Sequence, residues 1–141
     1  MRCFFDTNVL VYAFDKKAPA KSVVAQDLLA ECIARSEAFL STQVLQEFFT
    51  TVTRKLSTPL PHDEAERAVR EFAKFPIVNA DATLILDAIG LSQRYLVSFW
   101  DALIVQAAFR ARAEVLYTED LQDGQVFDSL TVRNPFAGIQ G

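Results

Sequence analysis

Acids stand at four places from which they could work together: Asp6, Glu47, Asp101 and the segment Thr118-Glu119-Asp120. Asp6 closes a short apolar run, Arg2-Cys3-Phe4-Phe5, and Thr118-Glu119-Asp120 directly follows a second, Val115-Leu116-Tyr117. Open parallel sheets bind ligands beyond the carboxyl ends of their strands, and acids directly after a buried strand lie at that edge. Glu47 falls on a helical segment whose apolar stripe is filled by other residues, and Gln43, Thr51 and Arg54 continue its polar line. Asp101 lies three residues after Ser98, the spacing of a capping box, and a helix N-terminus favours an ionised carboxylate. Carboxylates brought to one place repel, and some stay protonated unless a cation compensates. Mg²⁺ or Mn²⁺ is the natural compensator, because hard cations take oxygen ligands. Such a site can activate water and stabilise charge on a scissile phosphate.

Composition removes several competing chemistries. The single histidine, His62, excludes a His-rich zinc site and a two-histidine acid–base ribonuclease, and it reads as surface at a helix start. Cys3 and Cys32 match no metal spacing and sit on apolar segments, so they read as packing residues of a chain in a reducing compartment. The net charge of −4 would ordinarily argue against a nucleic-acid partner. With the four candidate acids set aside, however, the remaining acids only equal the 14 basic residues. No apolar run reaches the ~20 residues of a membrane span, and Asp6 arrives too early for a signal peptide. The expectation is a cytoplasmic protein without a membrane partner. At 141 residues, 51% of them hydrophobic, the chain is expected to form a single domain over 1–141.

The elements that must position the acids alternate. Strands are expected at Arg2–Phe5, Ala38–Leu40, Ile77–Val78, Val115–Tyr117 and Leu130–Val132. Between them, Val9–Phe14 begins a short helix, and Pro19 starts another with Val24, Leu28, Leu29, Cys32 and Ile33 on its apolar face. Ser41 or Thr42 caps a third, with Val44, Leu45, Phe48, Phe49, Val52 and Leu56 inward. Asp63 and Glu66 resemble a capping box for a helix through Phe75, and two more helices are predicted from Asp81 to Leu96 and from Trp100 to Arg112. The pattern predicts an α/β domain with a mostly parallel central sheet. Most of the aromatic residues, including Phe48, Phe49, Phe72, Phe75, Phe99, Trp100 and Phe109, read as core, with some left over to cover a protein surface.

Five segments, taken in order, resemble the PIN-domain proteins and among them the VapC-type toxins of toxin–antitoxin pairs. They are FFDTNVLVYAFD near the start, STQVLQEFF from Ser41, SFWDALIVQAA from Ser98, LYTEDLQDG from Leu116 and a closing NPF from Asn134. The resemblance implies a three-layer α/β/α fold and a metal-dependent endoribonuclease that leaves a 5′-phosphate and a 3′-hydroxyl. It also implies a homodimer inhibited by a small antitoxin that occludes the acidic groove. Carried over to this chain, Asp6, Glu47, Asp101 and Asp120 match the acidic quartet that holds Mg²⁺ or Mn²⁺, with Glu47 acting mainly through water. Asn8 and Thr118 match the polar neighbours that hold ligands and water. Arg54 and Lys55 could grip the RNA backbone, or simply place favourable charge at a helix C-terminus. Glu119 and Asp123 are extra acids near the quartet, and Lys16, Lys17 and Lys21 read as a solvated loop cluster.

Other readings of the same residues compete. A PIN-type nuclease of RNA processing, or one acting on DNA, would share the site without an antitoxin. A haloacid-dehalogenase-like phosphatase would need Asp two positions after Asp6, where this chain has Asn8. A non-catalytic scaffold would leave clustered carboxylates without a purpose.

Overall fold

The computed structural model of the chain describes residues 1–139. Cys3, Phe4 and Phe5 leave no polar face, and they form β1 (Cys3–Phe5), a strand buried on both sides at the middle of the sheet. The chain continues through α1 (Thr7–Tyr12), α2 (Pro19–Ala34), β2 (Ala38–Ser41), α3 (Thr42–Arg54), α4 (His62–Phe72) and β3 (Ile77–Val78). Then come α5 (Ala82–Tyr95), α6 (Phe99–Arg110), β4 (Val115–Tyr117), β5 (Val126–Phe127) and β6 (Leu130–Arg133).

The six strands run in the order β3-β2-β1-β4-β6-β5, and only the β5–β6 pairing is antiparallel. This is the expected three-layer α/β/α arrangement. From β1 the chain steps outward through β2 to β3, then returns to the other side of β1 for β4. The strand order therefore reverses between β1 and β4, which makes their carboxyl ends the topological switch point. Register brings those ends level: Phe5 pairs with Tyr117, and the next amide, Asp6 N–H, donates to the Tyr117 carbonyl at 3.0 Å.

Helices α2, α3 and α5 start where their sequence signals place them, whereas α1 starts at Thr7, two residues before the expected Val9, because Asp6 is its N-cap. Ser41 Oγ accepts from Val44 N–H to cap α3, Asp81 caps α5 through Leu84 N–H, and Pro19 opens α2. Phe48, fully buried on α3, meets Phe14 and Phe72 edge to face with ring centroids 5.5 and 5.2 Å away. That contact fastens α3, and with it Glu47, against α4 and the turn that follows α1.

Several expectations change. The N-cap of α4 is Pro61, with no side-chain cap, and Glu66 instead pairs with Arg70 one turn on; the helix also stops at Phe72, short of Phe75. Strand β5 has only two residues and forms a hairpin with β6, so Leu130–Arg133 is the sixth strand rather than the fifth. Ile33 is half exposed, because Ala25, Leu29 and Cys32 fill the buried face of α2. Trp100 is 63% exposed, not core, since α6 turns its Ala102–Val105 face inward. Cys3 and Cys32 are buried and free, as expected of packing residues. Among the described residues no helix is long and apolar enough to cross a membrane.

Because Phe48 fixes α3 through tight ring contacts, Phe48→Ala should lower the unfolding free energy by about 3–5 kcal/mol in urea denaturation, and a loss below about 1 kcal/mol would contradict this packing.

Candidate active site

The chain turns directly from β1 into α1, and Asp6 is the residue at the turn. It takes the N-cap conformation and accepts from Thr7 N–H through Oδ1 at 2.7 Å. Its other oxygen, Oδ2, accepts from the Thr118 hydroxyl at 2.8 Å, across the switch point from the end of β4. Asp6 is 5% exposed and Thr118 is fully buried.

Burial pushes the Asp6 carboxyl up to about 7, against the pull of the Thr118 and Thr7 hydrogen bonds and with the charges of Asp120 and Glu47 adding to the rise. Two of the other acids are thus close enough for Asp6 to feel them. The fourth acid joins through Asp120, whose carboxyl is raised by partial burial and then by Asp101 and Glu119, while its hydrogen bond from Asn8 works the other way.

Glu47 reaches the same place from α3. Its Oε1 accepts from the Thr7 hydroxyl at 2.9 Å and from Gln43 Nε2 at 3.5 Å. Gln43 is one turn before Glu47, and the same amide lies 3.4 Å from the Trp100 carbonyl. This amide therefore ties α3 to the first turn of α6, where Asp101 sits with its N–H donated to Ser98 Oγ at 3.1 Å. Asn8 completes the network: its amide nitrogen donates to Thr118 Oγ1 at 3.3 Å and Asp120 Oδ2 at 3.1 Å, and its oxygen accepts from Glu119 N–H at 3.4 Å.

A cleft of about 550 Å³ opens over these residues. Asp6, Asn8, Glu47 and Asp120 line it, together with Thr50, Thr51 and Lys55 along α3. Thr118 lies beneath the floor, while Asp101 and Arg54 are outside the lining. As the side chains stand, no three Asp, Glu, His or Cys groups among the described residues close on one point as a metal ion requires. The donor chemistry fits a hard cation all the same. All four groups offer carboxylate oxygens, and the innermost, kept from water by burial, holds its proton up to about 7.

The remaining sequence candidates sort cleanly. Asp123 accepts from Asn134 N–H and so holds a turn rather than the cleft. His62 is exposed and packs edge to face on Phe49. Lys16 and Lys17 are exposed as expected, but Lys21 is not a solvated loop residue: it lies on α2 and pairs with Glu119 at 3.3 Å. The bridging role of Thr7 gave no sequence signal beyond polarity next to an acid, while Gln43 was marked only by its place one helical turn before Glu47.

The family model for the PIN domain matches residues 3–125. No curated protein sequence matches the chain. Among solved structures, a toxin–antitoxin complex from Klebsiella pneumoniae superposes with a TM-score of 0.69 at 21% identity, over 94% of this chain and 97% of that one. VapC20 of Mycobacterium tuberculosis, described as a toxin that cleaves the sarcin-ricin loop, gives 0.64 at 21% identity over 84% and 89%. VapBC2 of Rickettsia felis, bound to a DNA fragment from its promoter, gives 0.64 at 18% identity over 95% and 98%. At these identities the likeness is one of fold.

The raised Asp6 carboxyl has a consequence for stability. Its proton is bound up to about pH 7 in the folded chain but only to about 3.8 when unfolded, so in that window the native state holds a proton that the unfolded chain has released. Stability from this group is therefore complete below the unfolded value and is lost as pH rises toward 7, by about 1.4 kcal/mol per unit. Urea denaturation in EDTA across this range should show that fall in the wild type and a markedly flatter profile for Asp6→Asn; equal slopes would show that Asp6 is not the titrating group.

Proposed function

The chain belongs to the PIN-domain family, and from that membership and its acidic cleft we propose that it is a divalent-metal-dependent endoribonuclease, the toxin of a toxin–antitoxin pair. The observation that carries this reading is the buried Asp6 carboxyl at the switch point, within electrostatic reach of acids from α3 and from the end of β4. A carboxyl kept from water beside like charges weakens a fold unless a bound cation makes use of it.

Asp6, Asp101 and Asp120 would hold Mg²⁺ or Mn²⁺, with Glu47 reaching the site through water. The bound ion would polarise the scissile phosphate and lower the pKa of the attacking water. The chain's own groups supply the rest. Thr7 N–H and the Thr118 hydroxyl fix both Asp6 oxygens, so this carboxylate meets its ligand in one orientation. Glu47 engages Thr7 and Gln43 through Oε1, which leaves Oε2 to orient the water and take its proton. As the water oxygen bonds to phosphorus, the bond from phosphorus to the 3′ oxygen breaks, and that oxygen takes a proton from solvent. The products are a 5′-phosphate and a 3′-hydroxyl.

The cleft supports this polarity of charge. Asp6, Asp15, Glu47, Glu119 and Asp120 line it, and Lys55 is the basic residue of that lining, two turns of α3 and so about 12 Å along the helix axis from Glu47. Lys55 is placed to meet a phosphate away from the one cleaved, whereas Arg54, outside the lining, is given no such role. Thr50 and Thr51 add hydroxyls along the same wall.

An antitoxin partner is supported by two of the structural neighbours, which are toxin–antitoxin assemblies. A homodimer follows from the same reading, in keeping with the exposed apolar side chains Ile85, Leu86, Ile89, Leu96 and Trp100. We take residues 1–141 as one domain working in the cytoplasm.

Purified chain should cleave RNA with Mg²⁺ or Mn²⁺, stop in EDTA and leave new 5′-phosphate ends. Asp6→Asn and Asp101→Asn should each lower the rate at least about 100-fold with the fold retained by circular dichroism. Full activity of either variant would overturn the proposal, and cleavage of DNA but not RNA would move it to the DNA-acting alternative. Lys55→Ala should raise KM for RNA several-fold with kcat little changed, as loss of one phosphate contact does; unchanged KM would remove Lys55 from the substrate path.

A further inference from the structure

Tyr12 and Glu119 line the same cleft as Asp6 and Asp120, although neither belongs to the acidic quartet. The Tyr12 hydroxyl donates to Glu119 Oε1 at 2.8 Å. Lys21 Nζ, from α2, donates to Glu119 Oε2 at 3.3 Å and to the Tyr12 oxygen at 3.2 Å. The three groups close a triangle that engages both Glu119 oxygens. Beneath it, Tyr12 and Phe136 meet edge to face at 4.8 Å, and Lys21 Nζ lies 4.6 Å and 5.7 Å from their ring centroids.

This pair differs from the other side-chain ion pairs of the described residues. Lys21 and Glu119 are 17% and 26% exposed, whereas Arg70–Glu66 and Lys74–Glu71 lie open to water. An exposed pair contributes little, but a shielded pair bound on three sides fixes geometry.

What it fixes is the segment that carries Asp120. Residues 118–120 belong to no helix or strand. Helix α1 grips them twice on one face: Asn8 holds Thr118, the Glu119 amide and Asp120, and Tyr12, four residues on, holds the Glu119 side chain. Lys21 then pins the second grip to α2 and balances the Glu119 charge, so the segment presents one uncompensated acid to the cleft instead of two.

We propose that Lys21, Tyr12 and Glu119 form a clasp that positions Asp120 for divalent-cation binding, with Lys21 as its central positioning residue. The proposal rests on the metal-dependent nuclease reading above. Without Lys21 the Glu119 carboxylate is unpaired beside Asp120, and the segment loses its tie to α2. Without the Tyr12 hydroxyl only the Lys21 link to Glu119 remains, while the ring contact with Phe136 persists.

The test uses the full chain in two measurements, the Mn²⁺ concentration that gives half the maximal rise in Tm and the kcat and KM for RNA. Loss of a partner behind a metal ligand typically lowers metal affinity or activity 10–100-fold. Lys21→Met should therefore raise the Mn²⁺ midpoint about 10-fold and lower kcat to a similar degree, with KM within about two-fold. Tyr12→Phe should move both in the same direction by less, and Lys21→Arg should recover most of the loss. A clasp that only braced the fold would lower Tm in EDTA and leave the Mn²⁺ midpoint and kcat at wild-type values in both Lys21→Met and Tyr12→Phe; that result overturns the proposal. Should Lys21→Met not fold, Tyr12→Phe decides alone. A wild type that neither cleaves RNA nor gains stability from Mn²⁺ overturns the nuclease reading and the clasp together, whereas an active wild type with indifferent variants overturns the clasp only.

Discussion

Burial of the Asp6 carboxyl beside like charges is the constraint on which the rest of the structure depends. A carboxylate stripped of water costs several kcal/mol unless it is paired, so the group takes a proton, a cation or a set of hydrogen-bond donors. Here Thr7 N–H and the Thr118 hydroxyl supply the donors, and burial keeps the proton up to about pH 7. In the proposed function, proton and cation are alternative occupants of this one site. The conflict between stability and function is confined to this point, because the buried polar side chains of the described residues otherwise all find partners.

The fold explains why that point lies where it does. Reversal of strand order between β1 and β4 leaves a crevice at their carboxyl ends, and the next residues along the chain are Asp6 and Thr118. Helix α3 enters from β2 with Ser41 as its cap, so Glu47 falls on the second turn above the same edge. Gln43 carries the link onward to α6 and Asp101. Segments more than 100 residues apart in the chain are thereby held to one network of short side chains.

Much of this was legible in the residues themselves. The apolar triplets before Asp6 and Thr118 gave both strands, because a central parallel strand has no polar face to blur its pattern. The α3 stripe and the Ser41 cap were clear for the same reason: local spacing carries them. What stayed hidden depended on contacts distant in sequence. Lys21 looked like loop surface until α2 placed it against Glu119, 98 positions later. Trp100 looked like core because indole usually is, yet Leu103, Ile104, Val105 and the alanines of α6 had already filled the buried face. Strand β5 was missed because two residues set no period, and the α4 cap was misread because Pro61 precedes His62 and takes the position that Asp63 was expected to define. The acids were singled out by strand ends and helix positions, the family resemblance joined them as a quartet, and what geometry adds is the order among them: Asp6 innermost, Asp120 at the open rim.

The central claim is that these carboxylates jointly hold one divalent cation site. Crystals of the full chain soaked in Mn²⁺, with data collected at a wavelength where manganese scatters anomalously, test it most directly. The account predicts an anomalous peak bonded to an Asp6 oxygen and at least one of Asp101 and Asp120, and no such peak in Asp6→Asn crystals treated alike. Well-ordered wild-type crystals with no manganese at Asp6, or with manganese bound equally in the Asn variant, would contradict it.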